Sequence, residues 1–200
     1  LESAAIAKPT AQTKLLYRRF YALLVYDYLI SGSDLSEDSK LYAKECFSDL
    51  SHGFFLTTIS LYKPALTSVR SSVENCIRFS LLLNGSDATK IESVYELFDV
   101  ANVLYASRKQ QKARLNHLRG IYRELCKTVH SASSDYMNLN VPFGTMLIFD
   151  DEKFDENQKV LSDVCHFVGE LLFIELNSLV RKCHHKHQDM LADAVAKSVR

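Results

Sequence analysis

The chain has 200 residues, 47% of them hydrophobic, and its 24 basic and 24 acidic residues give a formal net charge of zero. This length and apolar content suffice for one sizeable core, so we expect a single domain over residues 1–200, and the scarcity of Gly and Pro disfavours a many-stranded sheet. A neutral chain lacks the cation excess of proteins that coat nucleic acids nonspecifically, so any RNA contact requires a local basic patch.

Apolar residues at helical spacing predict three helices in the first part of the chain. The first covers about residues 10–30, and the second covers about residues 37–61, with Gly53 as a possible kink. Pro64 suits the first turn of a third helix, which runs to about residue 83 and stops at an Asn-Gly pair. The apolar residues of the first helix at this spacing are Leu15, Leu16, Phe20, Leu23, Leu24 and Tyr28.

The third predicted helix carries a stripe of charge beside its apolar row. Arg70, Glu74 and Arg78 lie four residues apart, so their side chains share one face of the helix. We expect these side chains to be half buried and paired with each other. A structural ion-pair network is the favoured interpretation, and the alternative is a supporting role in which Glu74 orients an active-site histidine or arginine.

The second half of the chain is also predicted to be mainly helical. A shorter helix is predicted over residues 90–105, followed by one in which Leu115, Leu118, Ile121 and Leu125 face the core. Residues 141–149 are apolar and predict a short extended segment, and the acidic run Asp150-Asp151-Glu152 that follows predicts a helix cap. A long central helix over residues 157–183 and an amphipathic helix over 186–199 complete an all-α bundle of about six to seven helices.

Arg123 and His130 form the pattern that most directly suggests a function. They are seven residues apart, which is close to two helical turns, so both side chains project from one helix face, about 10 Å apart along its axis. His130 can exchange a proton near neutral pH, and the guanidinium of Arg123 stays charged and fits phosphate oxygens. This combination can cleave a phosphodiester without a metal ion.

These residues and the Arg70/Glu74/Arg78 helix together resemble the HEPN superfamily, in which an arginine precedes a histidine by a short, defined spacing. The frame Tyr122-x-x-Leu125-x-x-x-Val129-His130 adds to the resemblance. It implies an all-α domain and, in many members, a metal-independent ribonuclease that acts as a homodimer and needs no cofactor. Such domains often act as toxins or antiviral defence effectors, with an antitoxin or another defence-system protein as partner.

The resemblance assigns roles to the residues near this pair. Arg123 and His130 are the expected catalytic residues, with Tyr122, Glu124 and the Arg70/Glu74/Arg78 stripe as supporting residues. Arg119 and Lys127, one turn on either side of Arg123, are expected to hold flanking phosphates, and Tyr136 is expected to stack on an RNA base.

One position favours a second hypothesis. Family nucleases usually carry a small polar residue such as Asn directly after the arginine, whereas this chain has Glu124. Together with the neutral net charge, this departure favours a catalytically inactive helical module that binds a partner protein or a nucleotide within a larger complex. In that case His130 closes the end of its helix and Arg123 pairs with a nearby carboxylate.

The remaining cysteines and histidines give weaker patterns. The five cysteines are widely spaced and predict buried free thiols in a reducing compartment, and the absence of an obvious signal peptide or apolar span predicts a cytoplasmic protein without membrane contact. We predict no metal site, although His184, His185 and His187 beside Cys183 leave a metal-dependent enzyme as a third hypothesis. Cys165 and His166 predict a core pair rather than a catalytic dyad.

Overall fold

The computed structural model describes residues 10–129 and 148–199, and within these ranges the chain forms eight α-helices and no strand. The predicted all-α fold class is therefore confirmed. The helices are α1 (Ala11–Ser31), α2 (Glu37–Thr58), α3 (Tyr62–Leu83), α4 (Val94–Leu104), α5 (Lys109–Val129), α6 (Asp151–Glu175), α7 (Asn177–Lys182) and α8 (His185–Ala194).

Side-chain caps define where several helices begin. Thr10, Ser36, Ser93 and Asp150 precede α1, α2, α4 and α6, and the side chain of each accepts a hydrogen bond from the backbone N–H three residues later. Such caps satisfy one of the N–H groups that have no partner inside the helix. The acidic run that begins at Asp150 was predicted to be a cap, and this prediction is confirmed.

Two boundaries in the first part of the chain differ from the predictions. Helix α2 ends at Thr58 rather than near residue 61, because Ser60 adopts a left-handed backbone with φ of 64° and the Leu61 N–H bonds back to the Leu56 carbonyl. The helix predicted from residue 90 begins only at Val94, after the Ser93 cap, and a 3₁₀ turn (Ala88–Lys90) precedes it.

The C-terminal part contains more helices than predicted. The long helix predicted over residues 157–183 begins earlier, after the Asp150 cap, and is divided at Leu176 into α6 and α7. The last helix ends at Ala194, and Val195 is extended. This division is why the described residues form eight helices instead of six or seven. Of the predicted extended segment, residues 141–147 lie outside the described residues, and residues 148–149 lie outside any helix.

Helix α6 lies at the centre of the bundle. It packs against α1, α2, α3, α5 and α8, so nearly every side of it is covered by another helix. This agrees with its apolar sequence, which predicted a central position. Its fully buried apolar residues are Leu161, Val164, Cys165, Val168, Leu171 and Leu172.

Gly53 permits close packing of α2 on α3. Helix α2 continues through this residue, and a Cβ atom placed there would lie 2.7 Å from Cγ2 of Val69 on α3. Because real Cβ atoms essentially never make contacts this short, any larger residue at this position would require Val69 to shift. The possible kink stays a prediction, and the missing side chain of Gly53 allows α2 and α3 to pack closely.

Helix α1 presents apolar residues on two faces. Leu16 and Leu23 are buried as the helical spacing predicts, but Leu15, Leu24 and Tyr28 are exposed. The exposed set also includes Tyr17 and Tyr21, whose rings lie 6.2 Å apart. Apolar spacing alone does not distinguish the face that packs on α6 from the face that contacts solvent.

Candidate functional site

Helix α5 has one buried face and one open face near its C-terminal end. Leu115, Leu118 and Leu125 are buried in the core, as predicted, and Ile121 is partly buried. The helix packs against α3, α4 and α6, which together cover its apolar side. Gly120, Arg123 and Glu124 are exposed, so the segment predicted to be functional faces solvent.

Arg123 differs from the other two arginines of α5. The Nε of Arg114 donates to Oε2 of Glu170 at 2.9 Å, and Arg119 lies 3.1 Å from the Asp99 carboxylate. Within residues 10–129 and 148–199, Arg123 makes neither a hydrogen bond nor an ion pair, and it is exposed. Within these ranges its guanidinium therefore has no contact to break before it binds an anion.

The two predicted partners of Arg123 in the chemistry lie outside the described residues. These are His130, the expected proton-transfer group, and Tyr136, the expected base-stacking residue. Both therefore stay predictions. Helix α5 is described up to Val129, the residue immediately before His130.

Tyr122 links α5 to α3 through the predicted charge stripe. Its hydroxyl donates to Oε1 of Glu74 at 2.9 Å and accepts a hydrogen bond from Nη1 of Arg70 at 3.3 Å. Arg70 and Glu74 are themselves 3.6 Å apart, and Cys126 accepts a weak contact from Arg70. The predicted pairing of Arg70 with Glu74 is present, and it includes a tyrosine that the spacing along α3 did not reveal.

Electrostatics hold Tyr122 in its neutral form. Burial, followed by the hydrogen bond with Cys126 and the negative charge of Glu74, raises the pKa of Tyr122 far above its ordinary value. A phenol in this environment keeps its proton and works as a hydrogen-bond donor. This arrangement connects two helices and leaves Glu74 engaged with Arg70 and Tyr122.

Arg78 does not join this network, although it lies on the same stripe. Its Nη1 donates to the Ala88 carbonyl at 2.6 Å, and its guanidinium lies over the ring of Tyr42 at 5.8 Å. The expectation that all three charges pair with each other is therefore wrong for Arg78. It instead fixes the 3₁₀ turn to α3, because the backbone carbonyl of that turn lies within its reach.

The two expected phosphate contacts beside Arg123 are already in ion pairs. Arg119 joins α5 to α4 through Asp99 and lies 5.8 Å from the ring of Phe98. Lys127 lies 2.7 Å from Glu124, one turn earlier on the same helix. Exposed pairs of this kind contribute little to stability and exchange readily, so these cations are still accessible to a phosphate.

An open groove of about 460 Å³ runs between α5 and α6. Gly120 lies in its α5 wall, and a Cβ atom added there would meet no other atom within 4 Å. His117 forms a flat surface at one end, because its ring stacks on Phe167 with centroids 4.4 Å apart. The other lining residues are Leu66, Asn116, Ile121, Glu124, Leu125, Thr128, Val160 and Asp163.

A buried charge cluster on α6 was not predicted. Glu170 is 2% exposed, and it accepts hydrogen bonds from Arg114 and from the Ala196 N–H, each at 2.9 Å. Nε2 of His166 lies 3.4 Å from the same carboxylate. The spacing of four residues between His166 and Glu170 would have indicated that the two side chains contact each other on one helix face. The apolar sequence around them predicts a core position and does not reveal this pair.

Cys165 and His166 do not form a nucleophile and base. Cys165 is fully buried, and this burial raises the pKa of its thiol to about 12. A thiol with such a pKa is neutral at physiological pH and is a poor nucleophile. His166 points to Glu170 instead, in agreement with the predicted core role for this pair. All five cysteines are free.

The histidines at the start of α8 cap that helix. The rings of His184 and His185 lie 4.1 Å apart, and Nδ1 of His184 accepts a hydrogen bond from the Lys186 N–H. His187 packs edge-on against Tyr28 of α1. In the described part of the chain, no group of three or more Cys, His, Asp or Glu side chains is placed to bind a metal ion.

The chain matches no protein-family model, no curated protein sequence and no solved structure. The candidate site is therefore defined by the geometry of α5 and its neighbours. Among the described residues, no helix has the length and apolarity needed to cross a membrane.

Proposed function

We propose that the protein is a metal-independent endoribonuclease of the HEPN type and that it cleaves RNA through Arg123 and His130. The observation that supports this proposal is the state of Arg123. It is exposed on α5 and, in the described ranges, engages no carboxylate, whereas Arg114 and Arg119 on the same helix are paired. A cation that is not engaged with a carboxylate is available to stabilise charge that develops on a phosphate.

The proposed reaction uses the ribose 2′-hydroxyl as the nucleophile. His130 accepts the 2′-hydroxyl proton while the 2′-oxygen forms a bond to phosphorus and the bond to the 5′-oxygen breaks. Arg123 stabilises the additional charge on the phosphate oxygens, and a protonated histidine, His130 of a second copy, returns a proton to the 5′-oxygen. The products are a 2′,3′-cyclic phosphate and a 5′-hydroxyl, with no redox change and no metal.

This reaction requires two histidines, one as a base and one as an acid, so the proposal includes a homodimer. A dimer also places two arginines beside one phosphate. Cleavage of cellular RNA would arrest growth, which suits a toxin or an antiviral defence effector that an antitoxin or another partner protein controls.

The test of the function is RNA cleavage in the presence of a chelator. Purified protein is incubated with total tRNA in EDTA, beside His130→Ala and Lys44→Ala, the latter an exposed cation on α2 that serves as the control. We expect cleavage by the wild type and by Lys44→Ala, products with cyclic phosphate ends, and no cleavage by His130→Ala. Cleavage that EDTA abolishes would overturn the metal-independent mechanism.

A second candidate is a helical module that binds RNA, a nucleotide or a protein without cleaving. Glu124 favours it, because an exposed carboxylate directly follows Arg123 where family nucleases carry a neutral residue. Intact tRNA in every sample, with and without EDTA, together with retained binding of labelled tRNA, would favour this candidate over the nuclease.

A further inference from the structure

We infer that the groove between α5 and α6 binds the RNA base next to the phosphate held by Arg123, and that the Glu124 carboxylate selects guanine at this position. The inference rests on the proposed function, since it names the substrate that the nuclease would select. It goes beyond that function because neither the nuclease chemistry nor the Arg123/His130 spacing requires a base pocket.

Gly120 is the first argument for a built groove. A glycine inside a helix is less stable than an alanine there, so its presence usually reflects close packing or a positive φ. Neither applies here, since an added Cβ would meet nothing within 4 Å and the residue lies within α5. Its missing side chain instead keeps the groove open, which gives this costly residue a role.

The position of the groove relative to Arg123 is the second argument. Gly120, Arg123, Glu124 and Lys127 are spaced by three and four residues, so they share one face of α5. Gly120 and Glu124 line the groove, and Arg123 lies between them along the helix. A nucleotide whose phosphate contacts Arg123 therefore has its base within reach of the groove.

The walls of the groove suit a flat heterocycle. Leu66, Ile121 and Val160 provide apolar contact, and the ring of His117 stacks in parallel on Phe167, with 5° between the planes. The volume of about 460 Å³ is within the range of about 300–1,000 Å³ typical of small-molecule sites. Bases bind such surfaces by stacking, without regard to sequence.

The carboxylates of the groove provide the selectivity. Glu124 and Asp163 can only accept hydrogen bonds when ionised. Guanine presents two adjacent donors, N1–H and N2–H, which match one carboxylate in a bidentate manner. Uracil presents one donor flanked by two carbonyl oxygens, which a carboxylate repels. The groove is therefore expected to favour guanine and to disfavour uracil.

Glu124 is better placed than Asp163 to bind a base. Asp163 faces Arg19 at 3.8 Å, and Arg19 is anchored by hydrogen bonds to Ser162 on the same helix. Glu124 binds Lys127 through Oε1 alone, and both residues of this pair are more than 40% exposed. A base can therefore approach the Glu124 carboxylate without disturbing the core.

The test uses mononucleotides, which the proposed reaction cannot cleave. Binding of 5′-GMP and 5′-UMP is measured by NMR titration with the wild type, Glu124→Gln, Gly120→Leu and the control Glu45→Gln, an exposed carboxylate on α2. A good bidentate pair discriminates by about 1–3 kcal/mol, so we expect GMP to bind at least about fivefold tighter than UMP. Glu124→Gln removes this preference, Gly120→Leu removes binding of both, and Glu45→Gln changes neither.

Three results would overturn the inference: equal binding of the two nucleotides, a preference that survives in Glu124→Gln, or no GMP binding at millimolar concentration. Circular dichroism tests whether Gly120→Leu is folded. If that variant does not fold, Glu124→Gln still tests the guanine preference. Failure of the guanine site can be distinguished from failure of the proposed nuclease function. RNA cleavage without a guanine preference retains the nuclease and rejects the guanine site, whereas selective GMP binding without RNA cleavage retains the site and rejects the nuclease.

Discussion

At the scale of single residues, Tyr122 and Arg123 show how neighbours on one helix take opposite roles. Tyr122 is buried and bonded to two charged residues of α3, whereas Arg123 is exposed and free of internal pairs in the described ranges. One residue of a helix corresponds to a rotation of about 100°, which is enough to move a side chain from the core to the surface.

Replacing Tyr122 with phenylalanine tests its structural role. The substitution removes the hydroxyl that donates to Glu74 and accepts from Arg70, so this partly buried ion pair loses a shared hydrogen-bond partner. We expect the free energy of unfolding, measured with urea, to fall by about 1–3 kcal/mol. Tyr95→Phe on α4, where the ring is exposed, is the control, with little change expected. Equal effects of the two substitutions would contradict the role of the network.

His166 makes stability depend on pH. Burial lowers the pKa of His166 below its ordinary value of 6.5, although the charge of Glu170 opposes the change and Arg19 and Asp163 also act on it. The unfolded chain therefore binds a proton near pH 6.5 and the folded chain only at lower pH, so the free energy of unfolding falls as the pH drops below 6.5.

The substitution His166→Gln isolates this contribution. Its melting temperature is expected to decrease less than that of the wild type between pH 7 and pH 5, since the glutamine cannot take up the proton. Thermal unfolding at several pH values measures the difference. A steeper decrease for His166→Gln than for the wild type would show that the histidine stabilises the fold when protonated.

The sequence allowed only part of these residue contacts to be predicted. The pairing of Arg70 with Glu74 follows from a spacing of four residues on a helix, which any helical segment would share. The contact of Arg78 with the Ala88 carbonyl depends on how the chain turns after α3, and the contact of Tyr122 depends on which helix packs there. Neither is encoded in local spacing.

At the scale of helices, two glycines with the same local setting have opposite consequences. Both Gly53 and Gly120 lie inside helices, but the first is pressed against Val69 and the second has empty space beside it. Helix propensity treats the two positions alike, so only packing distinguishes them.

Alanine substitutions at these two positions form a matched pair. We expect Gly120→Ala to raise the free energy of unfolding by about 0.5–1 kcal/mol, because it gains helix propensity without a clash. Gly53→Ala is expected to lower it by about 1–3 kcal/mol, because Val69 and α3 have to move. Urea denaturation of both variants gives the comparison, and changes of the same sign would refute the packing assigned to the two residues.

Helix boundaries were predicted well where a side chain sets them and poorly where tertiary contacts do. The Asp150 cap was recognised from its acidic run, and the Asn84-Gly85 stop of α3 agrees with its observed end at Leu83. The break at Leu176 has no Pro or Gly beside it, so no local residue indicated that α6 and α7 are separate.

At the scale of the whole molecule, one buried carboxylate connects three distant parts of the chain. Glu170 on the central helix accepts hydrogen bonds from Arg114 on α5 and from the backbone of Ala196 beyond α8. The central position of α6 could be predicted from its apolar sequence. The buried Glu170 could not, because a charge inside an apolar helix is tolerated only when partners from elsewhere in the fold surround it.

Removing the partner of Glu170 is expected to loosen these connections. Arg114→Met keeps most of the side-chain volume but leaves the carboxylate, 2% exposed, without its cation. We expect a loss of about 3–5 kcal/mol in the free energy of unfolding, measured with urea. The control Arg108→Met changes an exposed arginine just before α5 and is expected to have a much smaller effect. A loss below about 1 kcal/mol for Arg114→Met would mean that Glu170 is stabilised in another way.

The proposal that this bundle cleaves RNA depends most directly on the cation that α5 exposes, and the rate of tRNA cleavage in EDTA by Arg123→Ala tests it. Loss of a group that stabilises transition-state charge lowers the rate by about 10²–10³-fold, so we predict a decrease of this size for Arg123→Ala, with melting temperature unchanged and with full activity in Lys44→Ala. Equal cleavage rates for Arg123→Ala and the wild type would contradict the account.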